Sequence, residues 1–193
     1  MRKLAWMVLP ALLLAAGCKK QEAAPQQRTV HEIMKDEVDV RADDVWAIGN
    51  DHIDANAGID AASMSDDDWK KLASAAVSLQ QGALDLASLK DPIVVVEPGV
   101  KIADEDVPGG DSAESVRQNI AKDPQGFRDH ANALAQDMAD LATAASKHDS
   151  ATAGPIINQL DSVCESCHIE FWYPSQKALV DAIRKKGGDA ALN

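Results

Sequence analysis

The sequence contains little cysteine, with three such residues in 193. Cys164 and Cys167 lie three positions apart, and Cys18 lies far from them near the N-terminus. Three cysteines placed in this way exclude the disulfide-dense scaffold of small secreted domains. The chain is long enough for one ordinary domain and short for two. We therefore expect a single domain that is stabilised by a hydrophobic core.

Positive charge is also scarce, because 19 Lys and Arg residues face 31 Asp and Glu residues, for a formal net charge of −12. Proteins that bind nucleic acid need basic patches to neutralise phosphates. The acidic balance therefore argues against nucleic-acid binding. It is compatible with docking to a basic partner protein.

An apolar run near the N-terminus, "LAWMVLPALLLAAG", follows two basic residues and has the length of a signal peptide. It is too short and too interrupted for a membrane span. The run ends in "LLLAAGC", which resembles the lipobox of bacterial lipoproteins, although Ala15 stands where that motif usually has Leu. The resemblance implies cleavage before Cys18 and a lipid on its thiol. The alternative is an ordinary signal peptide that leaves Cys18 free. We predict a signal peptide at 1–17 and a polar tether at 18–27.

Beyond the tether, apolar residues recur at intervals of three and four, which is the helical period. Four such seams run from Val30 to Ile48, from Trp69 to Leu86, from Phe127 to Ala145 and from Ile156 to Cys167. Ser65 or Asp66 is expected to cap the second helix, and the fourth is expected to follow "SATAGP". A short helical piece is predicted at Asp111 to Lys122, before Pro124.

The other segments depart from this pattern. Residues 90–111 contain prolines, a glycine pair and three consecutive valines, which predicts a long surface loop or a pair of short strands. The chain closes with an amphipathic stretch from Gln176 to Lys185, with Gly187 and Gly188 as its expected C-cap. We predict an all-α fold over 28–173: an antiparallel four-helix bundle with a long loop between helices two and three. Residues 174–193 form an extension.

The run "CESCH" contains Cys164, Cys167 and His168 in the C-x-x-C-H pattern of c-type haem attachment. On a helix these three residues share one face. Two thiols then add to the two vinyl groups of haem, and the imidazole reaches the iron. A zinc site needs a fourth ligand, and the other histidines are scattered singly. A redox dithiol needs a βαβ context with the pair opening a helix, whereas this pair closes one.

A sixth iron ligand must come from upstream, because none of the 25 residues after His168 is Met or His. The candidates are Met34, Met64, Met138, His31, His52, His130 and His148. Met34 lies on the inner face of helix one, which His31 shares, and Met138 lies on the seam of helix three. A methionine in a helix seam is more often core filler than ligand. The remaining histidines have polar neighbours and are expected to be solvated.

A C-terminal C-x-x-C-H that closes a four-helix bundle behind a signal resembles class II cytochromes c, the cytochrome c′ group. The motifs are "CESCHIEF" and "EIMKDEV", and the resemblance covers residues 28–173. It implies one covalent haem c, with thioethers to Cys164 and Cys167 and His168 as the proximal ligand. By position, Met34 would be the distal ligand. Trp172 departs from the family, which usually has Arg or Lys after the Phe of this motif.

Within this group, members with Met on the first helix are low-spin electron carriers. Members with an apolar residue there are five-coordinate and bind nitric oxide or carbon monoxide. We expect a non-enzymatic electron carrier, with gas binding as the alternative, because a peroxidase needs distal acid–base residues and only His31 is near that face. The expected partners are redox proteins, a membrane through the lipid on Cys18, and a second copy, since relatives often dimerise. The expected location is the periplasmic side of a bacterial membrane, or the soluble periplasm if Cys18 carries no lipid.

Overall fold

The computed structural model describes residues 27–55, 58–103, 105–106 and 110–185. The predicted signal peptide, Cys18 and the glycine pair expected to cap the C-terminal helix lie outside these residues. Within the described ranges, no helix is both long enough and apolar enough to cross a membrane.

The first bundle helix is built from three consecutive pieces: α1 at Val30–Ile33, a π-helical turn at Met34–Val38 and α2 at Asp39–Asn50. It begins with a capping box. The Thr29 hydroxyl accepts a hydrogen bond from the backbone N–H of Glu32 at 3.0 Å, and the Glu32 carboxylate accepts one from the N–H of Thr29 at 2.7 Å. These bonds satisfy N–H groups that have no partner inside the helix.

The remaining helices follow in chain order as α3 (Asp66–Ala87), α4 (Ala113–Lys122), α5 (Pro124–Ser146), α6 (Ser150–Cys167) and α7 (Lys177–Lys185). A second π-helical turn, His168–Trp172, continues α6, and a short 3₁₀ turn, Pro174–Gln176, leads into α7. Ser65 caps α3, as predicted. Asp123 caps α5, whose first residue is Pro124, so the short α4 remains a separate helix.

Helix α6 begins earlier than predicted. It starts at Ser150, before the "SATAGP" run ends, because Asp149 caps it and accepts a hydrogen bond from the N–H of Thr152 at 3.2 Å. Pro155 therefore lies inside the helix. Pro155 is the sixth residue of the helix, so the carbonyl of Ala151 loses its intrahelical N–H donor there.

The four long helices form a closed ring in which each packs against the next, and α6 packs against α2. Their inner faces bury the predicted seams, with Leu72, Leu79, Met138, Leu141 and Leu160 each at most 1% exposed. Removal of these side chains from water is the main favourable contribution to the fold. The all-α bundle is confirmed, and no strand occurs among the described residues beyond one isolated bridge between Ile53 and Ile59.

The long segment after α3 is a loop that packs against the start of the first helix. The carbonyls of Val94 and Val95 accept hydrogen bonds from the N–H groups of Val30 and His31 at 2.9 and 2.8 Å. Val95 is itself buried. The loop therefore fixes the end of the bundle from which Met34 projects.

Candidate functional site

The last turn of α6 places Cys164, Cys167 and His168 on the wall of one cavity of about 840 Å³. Cofactor pockets in proteins range from about 300 to 1,000 Å³. The first helix contributes His31 and Met34 to the lining of the same cavity. Other lining residues come from α5, from the loop before α4 and from the segment that follows His168, such as Phe127, Leu134, Ala103, Gly110 and Trp172.

The two thiols are partly buried and are not joined by a disulfide. Burial raises the pKa of Cys164 to about 11 and the pKa of Cys167 to about 12, so both thiols are protonated at neutral pH. Reactive dithiols have lowered pKa values instead. This environment disfavours the redox-dithiol interpretation and suits cysteines that are consumed in a covalent attachment.

Burial also lowers the pKa of His168, against the opposing effect of the Glu165, Asp39 and Asp161 carboxylates. A neutral imidazole keeps a nitrogen lone pair, which a metal ligand requires. His168 is therefore in the form that binds iron.

The segment that carries these residues is anchored to α4 and α5. Phe171 is 2% exposed and packs edge-to-face on Phe127, with ring centroids 5.7 Å apart. Asn119 of α4 donates a hydrogen bond to the Phe171 carbonyl at 3.2 Å. These contacts anchor the segment that follows His168 to α4 and α5.

His130 of α5 makes a further connection that the sequence did not predict. Its Nε2 lies 2.9 Å from Glu170 Oε2, and its Nδ1 lies 3.3 Å from the hydroxyl of Ser166. The side chain is 25% exposed and lines the cavity. His130 is therefore only partly solvated, and its polar sequence neighbours do not reveal partners 36 and 40 residues away.

The other predicted distal candidates separate clearly. Met34 and His31 line the cavity, whereas Met64, Met138, His52 and His148 are not among its lining residues. Met138 is fully buried in the core, which is the filler role expected of a seam methionine. His52 is 14% exposed and its Nδ1 lies 2.7 Å from the Ser63 hydroxyl, so it is less solvated than predicted. His148 is exposed and stacks on Trp69.

The segment between α3 and α4 contributes Ala103, Gly110 and Asp111 to the cavity lining. His31 Nδ1 lies 3.5 Å from Glu97 Oε2 of this loop. Both atoms, and Asp111 Oδ2, are buried without a hydrogen-bond partner among the described residues. Such groups are rare unless a ligand or water completes them. A cavity of this size, with two thiols and an imidazole on its wall, fits a covalently bound haem.

The fourth long helix of the bundle, α6, runs into the C-x-x-C-H motif beside such a cavity. This arrangement is that of a c-type haem protein with a helical-bundle fold. The model of the family described as Cytochrome C' matches residues 103–172, about a third of the chain. This match supports a class II cytochrome c′-like protein, and the predicted cofactor, one covalently attached c-type haem, is confirmed. The matched segment includes Cys164, Cys167 and His168, whereas Met34 and Cys18 lie outside it. No curated protein and no solved structure matches the chain.

Proposed function

We propose that this protein is a one-electron carrier in which His168 and Met34 are the two axial ligands of the haem iron. The observation that carries the proposal is the position of Met34 on the wall of the cavity that Cys164, Cys167 and His168 also line. A bound haem supplies a one-electron iron couple, and thioether ligation favours its reduced form.

The backbone around the two proposed ligands supports the same role. Met34 and His168 are each the first residue of a π-helical turn. Such turns are rare and occur frequently at functional sites. Two of them along one cavity, each beginning at a lining residue able to bind iron, favour ligation over core filling for Met34.

The surrounding packing suits a carrier better than an enzyme. Val38, Phe127 and Leu134 line the cavity and are buried, which limits water around the cofactor. The anchored segment around Phe171 holds His168 in place. Little rearrangement is then needed when an electron enters or leaves, and we propose no catalytic residue.

The test of the ligand set is the visible spectrum of the purified holoprotein, together with a matched pair of variants. Met34→Leu and Met138→Leu each remove one sulfur with little change in volume, and such exchanges usually cost less than about 1.5 kcal/mol. We expect the wild type and Met138→Leu to be low-spin, with a weak sulfur-to-iron charge-transfer band in the far red when oxidised. Met34→Leu should lose that band and become high-spin.

Two results would contradict the proposal. One is a Met34→Leu spectrum identical to that of the wild type, which would make Met34 core filler. The other is a high-spin wild type whose reduced spectrum shifts on addition of carbon monoxide. That second result would establish an open sixth position and favour binding of nitric oxide or carbon monoxide.

We further propose that a lipid on Cys18 holds the protein at the periplasmic face of a bacterial membrane, where it meets redox partners. The net charge of −12 favours partners with a basic docking surface. Mass spectrometry of the mature chain is expected to find an N-terminal Cys18 carrying acyl groups. A mature chain that begins elsewhere, or an unmodified Cys18 thiol, would instead indicate a soluble periplasmic protein.

A further inference from the structure

Tyr173, directly after the second π-helical turn, is tied to the haem motif at two points. Its hydroxyl donates a hydrogen bond to Oε2 of Glu165, which lies inside the "CESCH" run. Its backbone N–H donates to the carbonyl of His168 at 2.9 Å. The ring of Tyr173 lies beside the imidazole, with centroids 5.7 Å apart and planes inclined by 55°. Glu165 and Tyr173 are therefore hydrogen-bonded to each other on either side of His168 in the chain, and Tyr173 also contacts His168 directly.

The negative charge of Glu165 also acts on His168. Among the carboxylates that oppose the effect of burial on His168, Glu165 is the leading one. Burial, and then the hydrogen bond to Glu165, raise the pKa of Tyr173, so the phenol is protonated and acts as the donor. A partly buried carboxylate is less screened than a surface one, so its charge acts more strongly on its surroundings.

We propose that Glu165 and Tyr173 are a positioning pair that sets the reduction potential of the haem through His168. Negative charge near the proximal imidazole stabilises the oxidised iron, which carries one more positive charge than the reduced iron. Glu165 therefore lowers the potential. The hydrogen bond from Tyr173 withdraws charge from the carboxylate and limits this effect. The inference rests on the proposed one-electron role, in which one electron is gained or lost and no proton needs to move.

The experiment is a redox titration of the purified holoprotein, with the midpoint potential as the measured quantity. Glu165→Gln removes the charge and should shift the potential to a more positive value. Tyr173→Phe keeps the ring and removes only the hydroxyl, so it should shift the potential to a more negative value. Once Glu165→Gln has removed the charge, the Tyr173 hydroxyl has no carboxylate to modulate, so adding Tyr173→Phe should leave the potential of the double variant equal to that of Glu165→Gln. The two effects are therefore not additive.

Two further variants separate local from general effects. Asp140→Asn also removes one negative charge, but Asp140 is exposed on α5, beyond the part of that helix that lines the cavity. It should leave the potential nearly unchanged. Glu165→Asp keeps the charge but shortens the side chain, so it should lose the hydrogen bond and behave like Tyr173→Phe. It also serves if Glu165→Gln does not fold.

Additive shifts, or a Glu165→Gln potential equal to that of Asp140→Asn, would overturn the inference. Its failure is distinguishable from failure of the proposed axial ligands. The wild-type spectrum reports the ligand set, whereas the differences in midpoint potential between variants report the pair. A high-spin wild type that still shows the non-additive pattern would remove Met34 from the site and leave Glu165 and Tyr173 in it.

Discussion

Met34 and His168 share a backbone feature that changes where the residues after them point. In each π-helical turn the carbonyl of the first residue accepts a hydrogen bond from the N–H five positions later, from Asp39 and from Tyr173 respectively. The extra residue rotates the following side chains by roughly 100°, since one residue of an α-helix spans that angle. After His168, this change accompanies the burial of Phe171 and the contact of Tyr173 with Glu165.

At the same scale, residues whose chemistry is local were predictable and residues with distant partners were not. Cys164, Cys167 and His168 could be placed on one face from their spacing alone, because helical geometry relates positions three and four apart. His130 could not, because its partners lie on another helix. The hydrogen bond of Tyr173 was missed for a different reason. It depends on a π-helical turn, and the apolar spacing of three and four residues does not reveal such a turn.

At the scale of elements, the apolar positions spaced three and four apart predicted the helices well. They did not predict how closely neighbouring helices approach each other. Gly49 of α2 faces α6, and a Cβ atom at this position would lie 2.7 Å from Cγ2 of Ile157 and 3.4 Å from Cδ1 of Ile59. Ile157 is 3% exposed, and its β-branched side chain has one strongly preferred rotamer in a helix. The glycine therefore permits a close approach of α2 and α6. An apolar period cannot reveal this distance.

We expect Gly49→Ala to destabilise the protein, since two opposing terms differ in size. Alanine improves helix propensity by about 1 kcal/mol, whereas overpacking a core contact costs about 1–3 kcal/mol. Denaturant unfolding of the holoprotein should show a net loss of about 1 kcal/mol. The control is the same change in an Ile157→Ala background, where the contact is gone and only the propensity gain remains. A loss of equal size in both backgrounds would mean that Ile157 is not the obstacle.

The helix starts and the long loop show where element-level prediction ends. Ser65 was one of two caps expected for α3, with Asp66 the other, and it is Ser65 that forms a capping box with Asp68. The start of α6 was misplaced because Pro155 was treated as a boundary, although the Asp149 cap outweighs it. The hydrogen bonds from the N–H groups of Val30 and His31 to the carbonyls of Val94 and Val95 are tertiary contacts. No local pattern encodes them.

At the scale of the whole molecule, the charge balance opposes folding at neutral pH. A formal net charge of −12 makes the compact state repel itself, and salt screens that repulsion. Burial, with Asp140 nearby, raises the pKa of Asp137, so this carboxyl contributes stability as the pH falls through its folded value. Mild acidification should therefore relieve repulsion before it damages local structure.

Stronger acidification should reverse the gain, because several carboxylates hold local structure in their charged form. Hydrogen bonds to Thr29, Ser65 and Thr152 lower the pKa values of Glu32, Asp68 and Asp149, all at helix starts. Hydrogen bonds from Arg117 and Gln118 lower the pKa of Glu114 to about 2. A carboxyl whose pKa is lower in the folded than in the unfolded state stabilises the fold. Its full contribution is present above the unfolded pKa of about 4. That stability is lost as the pH falls from there towards about 2.

The melting temperature of the holoprotein, followed by far-ultraviolet circular dichroism, should therefore pass through a maximum near about pH 5. At pH 7 it should rise on addition of salt, because repulsion is screened, whereas near the maximum salt should have little effect. Below about pH 4 the melting temperature should fall as the helix-capping carboxylates are protonated. This account would be contradicted by a melting temperature that falls steadily from pH 7 to pH 5 and does not change when salt is added. In that case local ion pairs and caps, rather than net charge, would govern stability across the whole range.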